Sequence, residues 1–206
     1  MNELFINTST KKLVISIIVD NVMKYEHKSD NSNSLSSDIM PIIDEAFKNS
    51  NITPKDINTI YVTTGPGSFT GIRIGLTLAK VMAWSLKIKV VPISSLELMS
   101  STNTDKKYIA PLIDARRDYV FAALYDNNLN PVISDSYILL DEFKAKLNDK
   151  DILFISHDNF EFETYDSDYN VLKVIEKHRN DEGVNPHRLN PNYLKLTEAE
   201  ENLSRK

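Results

Sequence analysis

Residues 63–75, TTGPGSFTGIRIG, contain four of the five glycines in a chain of 206 residues. They lie between a β-rich segment at 58–64 and a strongly apolar helical segment at 72–86. A glycine-rich turn from a strand into a helix is typical of loops that bind phosphate through backbone N–H groups. The stretch therefore raises the question of whether this chain binds a nucleotide.

The two common nucleotide-binding loops do not fit this stretch. A P-loop ends in Gly-Lys-Ser or Gly-Lys-Thr, whereas Gly71 is followed by Ile72 and Arg73. A dinucleotide-binding loop belongs to the first βαβ unit and needs an acidic residue about 20 positions later, but the next strand is followed by no acid before Glu97. The alternative is that Gly71 and Gly75, four residues apart, bring a helix backbone close to a neighbour.

A phosphate contact stays open for hydroxyl, glycine and arginine residues near the first strand, the glycine turn and a later turn. These residues are Thr8, Ser9, Gly65, Gly67, Ser68, Thr70 and Arg116. Arg116 belongs to the segment Asp-Ala-Arg-Arg-Asp at 114–118. Its two arginines could bind a phosphate or a partner's carboxylate, or they could pair with the two aspartates at a hairpin turn. Both interpretations remain open.

The hydrophobic pattern predicts two successive α/β runs. The first is three strands, a helix, a strand, a helix, a strand and a short capped helix, at 3–7, 12–19, 21–26, 38–49, 58–64, 72–86, 89–94 and 94–101. The second is three strands, a helix and a strand, at 108–114, 118–126, 131–140, 141–147 and 151–156. The second run repeats the order of the first, which predicts two related lobes.

The lobe boundary is predicted in the polar segment at 101–107, which gives an N-terminal lobe at 1–103 and a C-terminal lobe at 104–194. The prolines near 185–194 favour an extended segment. A final helix is predicted from Thr197 to Arg205, and this segment, about 195–206, could complete the first lobe.

Composition excludes several classes of protein. The net charge of -5 and the pI near 5.4 argue against a dedicated nucleic-acid-binding protein, because phosphate contacts need clustered Lys and Arg. The absence of cysteine excludes disulfides, thiolate nucleophiles and Cys-ligated metals. The four histidines lie at 27, 157, 178 and 187, and none is four residues from another, so we expect surface or capping residues and no metal site. Without a membrane-spanning or signal-peptide pattern, we expect a cytosolic protein.

Two predicted helices, at 38–49 and 72–86, carry more apolar surface than one face of a sheet would cover. On the second helix the polar residues Arg73, Thr77 and Lys80 form only a narrow stripe. This excess predicts a helix-to-helix interface with another chain, and the alternative is that the second lobe or the C-terminal helix covers it. The predicted interface residues are Ile39, Met40, Ile43, Phe47, Ile72, Leu76, Lys80 and Val81.

Four segments closely resemble the bacterial TsaB family, also called YeaZ. They are GPGSFTGIRIGLTLAK at 65–80, PISSLELM at 92–99, IDARRDYVFAALYD at 113–126 and PNYLKLTEAE at 191–200. They occur in the family's order and span most of the chain. The resemblance implies an α/β fold with two lobes, that of the actin-like ATPases (ASKHA), built from two ribonuclease-H-like βββαβα units.

The resemblance also implies a role in making threonylcarbamoyladenosine, the modified adenosine beside the anticodon of tRNAs that read codons starting with A. In that system TsaD is the transferase, TsaB is its catalytically inactive relative and partner, and TsaE binds the pair and hydrolyses ATP. It implies no cofactor on this chain, with ATP or ADP and magnesium only at the level of the complex. It further implies tRNA contact only through the complex, and a homodimer when the chain is alone.

The first strand departs from the family pattern at its end. It reads Asn7-Thr8-Ser9-Thr10, where TsaB proteins commonly begin with Asp-Thr-Ser. In the actin-like superfamily that aspartate organises magnesium and phosphate, and hard cations prefer a carboxylate. We therefore predict that the chain is not an enzyme on its own. The alternative is an autonomous ATP-binding phosphotransferase or ATPase that uses the cleft between the lobes.

Overall fold

The structure is a computed structural model that describes residues 1–31, 34–147 and 151–195. The elements of the first sheet and its helices are β1 (Asn2–Asn7), β2 (Lys12–Val19), β3 (Val22–Asp30), α1 (Leu35–Ser50), β4 (Thr59–Gly65), α2 (Phe69–Leu86), β5 (Lys89–Ser94) and α3 (Ser95–Met99). Those of the second are β6 (Tyr108–Asp114), β7 (Tyr119–Asp126), β8 (Pro131–Leu139), α4 (Leu140–Ala145), β9 (Ile152–Ile155) and α5 (Val171–His178). Short 3₁₀ turns lie at Pro54–Asp56 and Pro186–Arg188.

The four strands of the second sheet repeat the topology of the first four strands of the first sheet. The strand orders of the two sheets are β3-β2-β1-β4-β5 and β8-β7-β6-β9. In each sheet the first three strands pair antiparallel, and the fourth strand runs parallel to the first. This repeated ribonuclease-H-like arrangement confirms the predicted two-lobed, actin-like fold class. The lobe limits at 1–103 and 104–194 stay a prediction.

The core has three parts, and β1 contributes to two of them because alternate side chains of a strand point to opposite faces. Leu4 and Ile6 pack under α1 and α2, whereas Phe5 packs in a cluster shared between the two sheets. The third cluster lies under α4 and includes Phe143. The shared cluster includes Tyr125 of β7, so the sheets meet through buried apolar contacts.

The segment after α5 returns to the first sheet. Val184 pairs with Val90 of β5, and Leu189 is buried in the cluster under α1 and α2. Further on, the N–H of Asn192 donates to the carbonyl oxygen of Thr64 at 2.8 Å. The segment predicted to be extended contains the 3₁₀ turn Pro186–Arg188 and no other helix or strand, and it covers part of the apolar surface of the first lobe.

Several predicted element limits were wrong. β3 continues to Asp30 and α1 begins at Leu35, so the segment expected to be a loop between them is much shorter. α2 begins at Phe69 instead of residue 72, because the Ser68 Oγ caps it by accepting from the Gly71 N–H at 3.2 Å. Helix α5 was not predicted, and the predicted helix at 197–205 lies outside the described residues.

No helix within residues 1–31, 34–147 and 151–195 is long and apolar enough to cross a membrane.

Candidate functional site

A cleft of about 680 Å³ lies between the two sheets, beside the carboxyl ends of β1 and β4. This is the side on which open α/β sheets bind ligands. Four of the residues predicted to contact phosphate line it: Ser9, Gly67, Ser68 and Thr70. Thr8, Gly65 and Arg116 do not line the cleft. The opposite wall contains Asp114, from the segment at 114–118 that the sequence indicated, together with His157 and Asp158, which were not predicted as site residues.

The glycines of the turn serve close packing. A methyl group on Gly71 would lie 2.0 Å from the carbonyl oxygen of Thr8, and one on Gly67 would lie 2.0 Å from that of Ser9. A methyl group on Gly75 would lie 2.3 Å from Thr8 Oγ1. A side chain at Gly67 or Gly71 would force the backbone to move, and one at Gly75 would displace the buried Thr8 side chain. The packing interpretation of Gly71 and Gly75 is therefore confirmed.

Polar groups of the glycine turn also pair inside the chain. The Ser68 N–H donates to the Ser9 carbonyl oxygen at 2.7 Å. The Thr8 hydroxyl donates to the Gly71 carbonyl oxygen at 2.7 Å. At the start of α2, the N–H groups of Ser68 and Gly71 thus have partners in the chain. These two N–H groups are therefore not free to bind a phosphate.

Asn7 occupies the position at which the aspartate of the actin-like superfamily would hold magnesium. Its side chain is fully buried, and its Nδ2 donates to Thr10 Oγ1 at 2.9 Å and to the Lys12 carbonyl oxygen at 2.7 Å. Its Oδ1 accepts from Ser9 Oγ and Thr63 Oγ1, both at 2.8 Å. A hard cation needs free oxygen ligands, and this amide has none to offer. The residues at the end of β1 therefore do not fit a magnesium ion.

A second polar chain crosses the cleft through His157. The ring Nδ1 contacts the Asp166 carboxylate, and Nε2 lies 2.5 Å from the hydroxyl of Tyr169. That hydroxyl donates to Thr10 Oγ1 at 2.9 Å. Burial lowers the pKa of His157 although Asp166 opposes this, and burial also raises the pKa of Tyr169. The His157 side chain is only 6% exposed, so our expectation of a surface histidine was wrong.

The two lobes are further joined at the mouth of the cleft. Lys11 forms an ion pair with Asp158 at 2.7 Å, and its Nζ also donates to the His157 carbonyl oxygen at 2.9 Å. The polar groups at this mouth are thus engaged in holding β1, β9 and the segment before α5 together. Within the described ranges, no group of three His, Asp or Glu side chains is placed to hold a metal ion.

The predicted partner interface needs correction. Five of its eight residues are only 2–6% exposed: Ile39, Ile43, Phe47, Ile72 and Leu76. They belong to the cluster between the helices and the first sheet, so they cannot present side chains to another chain. Met40 and Val81 are 51% and 57% exposed, and Lys80 is partly exposed.

Two further exposed apolar residues were missed. Phe69 is 55% exposed and Trp84 is 64% exposed. At about 100° per residue, Trp84 lies on the same stripe of α2 as Arg73 and Lys80, so the polar stripe could have indicated its exposure. We call Met40, Phe69, Val81 and Trp84 the apolar patch of α1 and α2.

The turn between β6 and β7 has left-handed backbone at three residues that are not glycine. Arg116, Arg117 and Asp118 have φ angles of 67°, 55° and 64°, in the left-handed region that side chains disfavour. The Arg116 N–H donates to Asp114 Oδ1 at 2.8 Å. Within the described part of the chain, neither guanidinium group forms an ion pair. The interpretation in which the arginines pair with the neighbouring aspartates is therefore wrong.

Comparisons with known proteins place these features in a family. A family model described as TsaD, tRNA N6-adenosine threonylcarbamoyltransferase, matches residues 29–160. The tRNA threonylcarbamoyladenosine biosynthesis protein TsaB of Bacillus subtilis (strain 168) is 31% identical over 221 aligned positions, which cover 97% of this chain and 96% of that protein. The chain belongs to the TsaB family.

Other TsaB relatives agree. TsaB of Escherichia coli (strain K12) is 31% identical over 97 residues, or 46% of this chain and 42% of that protein. The solved structure of YeaZ from Pseudomonas aeruginosa has a TM-score of 0.75 at 16% identity and covers 94% of this chain and 99% of its own. A protein described as similar to peptidase YEAZ from the same organism has a TM-score of 0.80 at 18% identity, with the same coverage. These structures support the same fold for this TsaB-family chain.

Proposed function

We propose that this chain is the non-catalytic TsaB subunit of the bacterial tRNA threonylcarbamoyladenosine synthase, acting in the cytoplasm. It binds and supports the TsaD transferase, TsaE joins this pair, and the assembled complex binds tRNA. The observation that carries the proposal is the apolar patch of α1 and α2, four large apolar side chains that are each more than half exposed: Met40, Phe69, Val81 and Trp84. A partner helix pair would bury these apolar side chains, which lie on two helices that pack on the first sheet.

The composition of the patch fits a protein partner. Tryptophan is enriched among interface residues that dominate binding energy, and Trp84 is 64% exposed. Arg73 and Thr77 lie beside it on the same face of α2 and supply polar groups at its border. Without TsaD, the same patch pairs two copies of this chain around a twofold axis. TsaD and a second copy then compete for one surface.

A binding role agrees with the closed polar networks of the cleft. Asn7 replaces the magnesium-organising aspartate and uses its amide fully within the chain. ATP or ADP with magnesium in the complex then takes its protein ligands from TsaD or TsaE. The chain contributes surface rather than a reactive group.

The interface is tested by adding charge to exposed residues only. Val81→Glu and Trp84→Glu place a carboxylate in the patch, and we expect the Kd for TsaD to rise about thirtyfold or more. Val22→Glu is a matched control, because Val22 is 54% exposed but lies on β3. Both patch variants should keep the thermal stability of the parent chain. Unchanged TsaD affinity in both would contradict the proposal.

The alternative function, an autonomous phosphotransferase, predicts opposite results from those of a non-catalytic subunit. For the isolated chain, we expect calorimetry with ATP and magnesium to show no micromolar binding and no turnover. In reconstituted tRNA modification, we expect activity to require this chain and to be lost with Val81→Glu. Micromolar affinity with turnover by the chain alone would favour the phosphotransferase instead.

A further inference from the structure

Three aromatic side chains form a row on the second sheet. Tyr119 and Tyr137 stack with ring centroids 4.6 Å apart and planes 15° apart, and Phe121 lies 5.6 Å from Tyr137. Phe121 and Tyr137 are directly opposite each other on β7 and β8. All three side chains are partly exposed. We call these residues the aromatic row.

The row is not part of the core between the sheets. Ala123 and Tyr125 continue the same face of β7 and are buried there, because the first sheet covers them. Phe121 lies at the edge of the region that the first sheet covers, and it lines the cleft. The rings of Tyr119 and Tyr137 do not line the cleft and are partly exposed, so among the described residues the row extends the cleft wall outward as a partly exposed stacking surface.

Cationic groups lie at the outer end of the row. Arg116 and Arg117 come directly before β7, are exposed, and have guanidinium groups without ion pairs in the described ranges. Lys195 lies with its Nζ 5.3 Å from the ring centroid of Tyr137. The nearby Asp114 carboxylate already accepts from the Arg116 N–H.

We propose that the aromatic row and the Arg116–Arg117 turn form a binding surface for single-stranded RNA. Unpaired bases would stack on the rings, since every base has a flat face, and the guanidinium groups would bind phosphates bidentately. The proposal rests on the proposed function, in which a complex brings this chain to a tRNA whose modified base lies in an unpaired loop. Because the chain has a net charge of -5, the surface contributes to a larger RNA site rather than acting alone.

The test measures RNA binding by the full chain, alone and mixed with TsaD. The probe is a fluorescent single-stranded oligoadenylate of about 12 nucleotides, with a duplex RNA of the same length for comparison. We expect the single strand to bind about tenfold more tightly than the duplex. Removing two phosphate contacts in the double variant Arg116→Gln, Arg117→Gln should lower the slope of log K against log salt by about 1.4.

The stacking contribution is tested separately from the charges. Tyr119→Leu with Tyr137→Leu keeps the apolar bulk, and we expect about a tenfold loss of affinity with an unchanged salt slope. Two control variants remove the same kinds of group as the arginine and tyrosine variants do. Lys24→Gln with Lys55→Gln removes the same charge from exposed positions elsewhere, and Tyr165→Leu removes a tyrosine that is 48% exposed on another surface. Both controls should bind RNA like the parent chain.

The outcomes separate this proposal from the TsaD interface. Arginine variants with parental RNA affinity and salt slope would overturn it. Loss of TsaD or TsaE binding in those variants, with RNA binding retained, would assign the turn to a protein partner and also overturn it. If the tyrosine variants do not fold, photo-crosslinking of the parent chain to a 4-thiouridine oligonucleotide decides: crosslinks within β7 or β8 support the site, and crosslinks elsewhere reject it. The effect of Val81→Glu on TsaD binding tests the proposed function separately, and it plays no part in these RNA-binding comparisons.

Discussion

The glycine turn at 65–71 and the arginine turn at 114–118 both follow a strand that ends near the cleft, and both contain left-handed backbone. In the glycine turn the left-handed residues are Gly65 and Gly67, and hydrogen bonds tie the turn to the end of β1. In the arginine turn the left-handed residues carry side chains whose charged groups are unpaired among the described residues. The glycines of the first turn are therefore required for close packing, whereas the strained backbone of the second turn leaves charged groups available for binding.

The largest effect is expected from Gly71→Ala. In an uncrowded helix this change stabilises by about 1 kcal/mol through helix propensity. Here the new methyl group would lie 2.0 Å from the Thr8 carbonyl oxygen, so we expect a loss of about 3 kcal/mol or more in the free energy of unfolding. Urea denaturation measures this, with Thr77→Ala on the exposed face of α2 as the control. A stabilised Gly71→Ala protein would show that the glycine turn is loosely packed, and it would contradict the contrast drawn with the arginine turn.

A smaller loss is expected from Asn7→Asp, which restores the superfamily carboxylate. The new oxygen would face the Lys12 carbonyl oxygen that Nδ2 now contacts at 2.7 Å, so we expect a loss of about 2 kcal/mol near neutral pH. Burial beside this carbonyl raises the folded-state pKa of the new carboxyl. The protein is then closest to parental stability below about pH 4, and the deficit grows as pH rises through that raised pKa.

Calorimetry on Asn7→Asp completes this test. We expect no gain of ATP and magnesium binding, because the neighbouring hydroxyl groups remain paired with one another. Tight magnesium-dependent ATP binding by a stable variant would mean that the glycine turn still serves a nucleotide.

The smallest effect, and one of opposite sign, is expected from Arg117→Gly. Glycine tolerates the φ of 55° without a steric penalty, so we expect the free energy of unfolding to rise by about 0.5–1 kcal/mol. Single-stranded RNA affinity should fall in the same variant. Lys87→Gly is a matched control, because Lys87 has a φ of 58° and also loses one positive charge. The Lys87→Gly control should gain similar stability without losing RNA affinity. A destabilised Arg117→Gly protein would show that the arginine turn is not strained.

Sequence periodicity predicted the order of elements from β1 to β9, but it did not predict α5 or the elements that cover each helix. The apolar arcs of α1 and α2 were assigned to another chain, yet Ile43 and Leu76 are buried under neighbouring elements of the same chain. Part of that cover is the extended segment containing Val184 and Leu189, which no helical or strand pattern marks. How much of a helix surface is covered depends on the tertiary structure. The polar stripe of α2 could therefore have indicated Trp84, but the other exposed residues of the patch could be identified only in the folded chain.

The polar networks were beyond sequence reasoning for a similar reason. His157 contacts Tyr169, whose hydroxyl in turn contacts Thr10, and these two residues lie 12 and 147 positions from His157 in the chain. Neither spacing matches a helical or strand repeat, so only the fold brings these groups together. The packing role of Gly71 and Gly75, by contrast, could be predicted, because their spacing of four places both on one face of a helix.

The return of the chain at Val184 has a consequence for solubility. β5 is the outer strand of the first sheet, and an outer strand offers unpaired N–H and C=O groups to any other strand that approaches. Pro92 lacks an N–H group, and the Val184 N–H donates to the Val90 carbonyl oxygen at 2.7 Å. Together they block strand addition along this side of the molecule, so the segment that closes the first lobe also guards it against edge-to-edge aggregation.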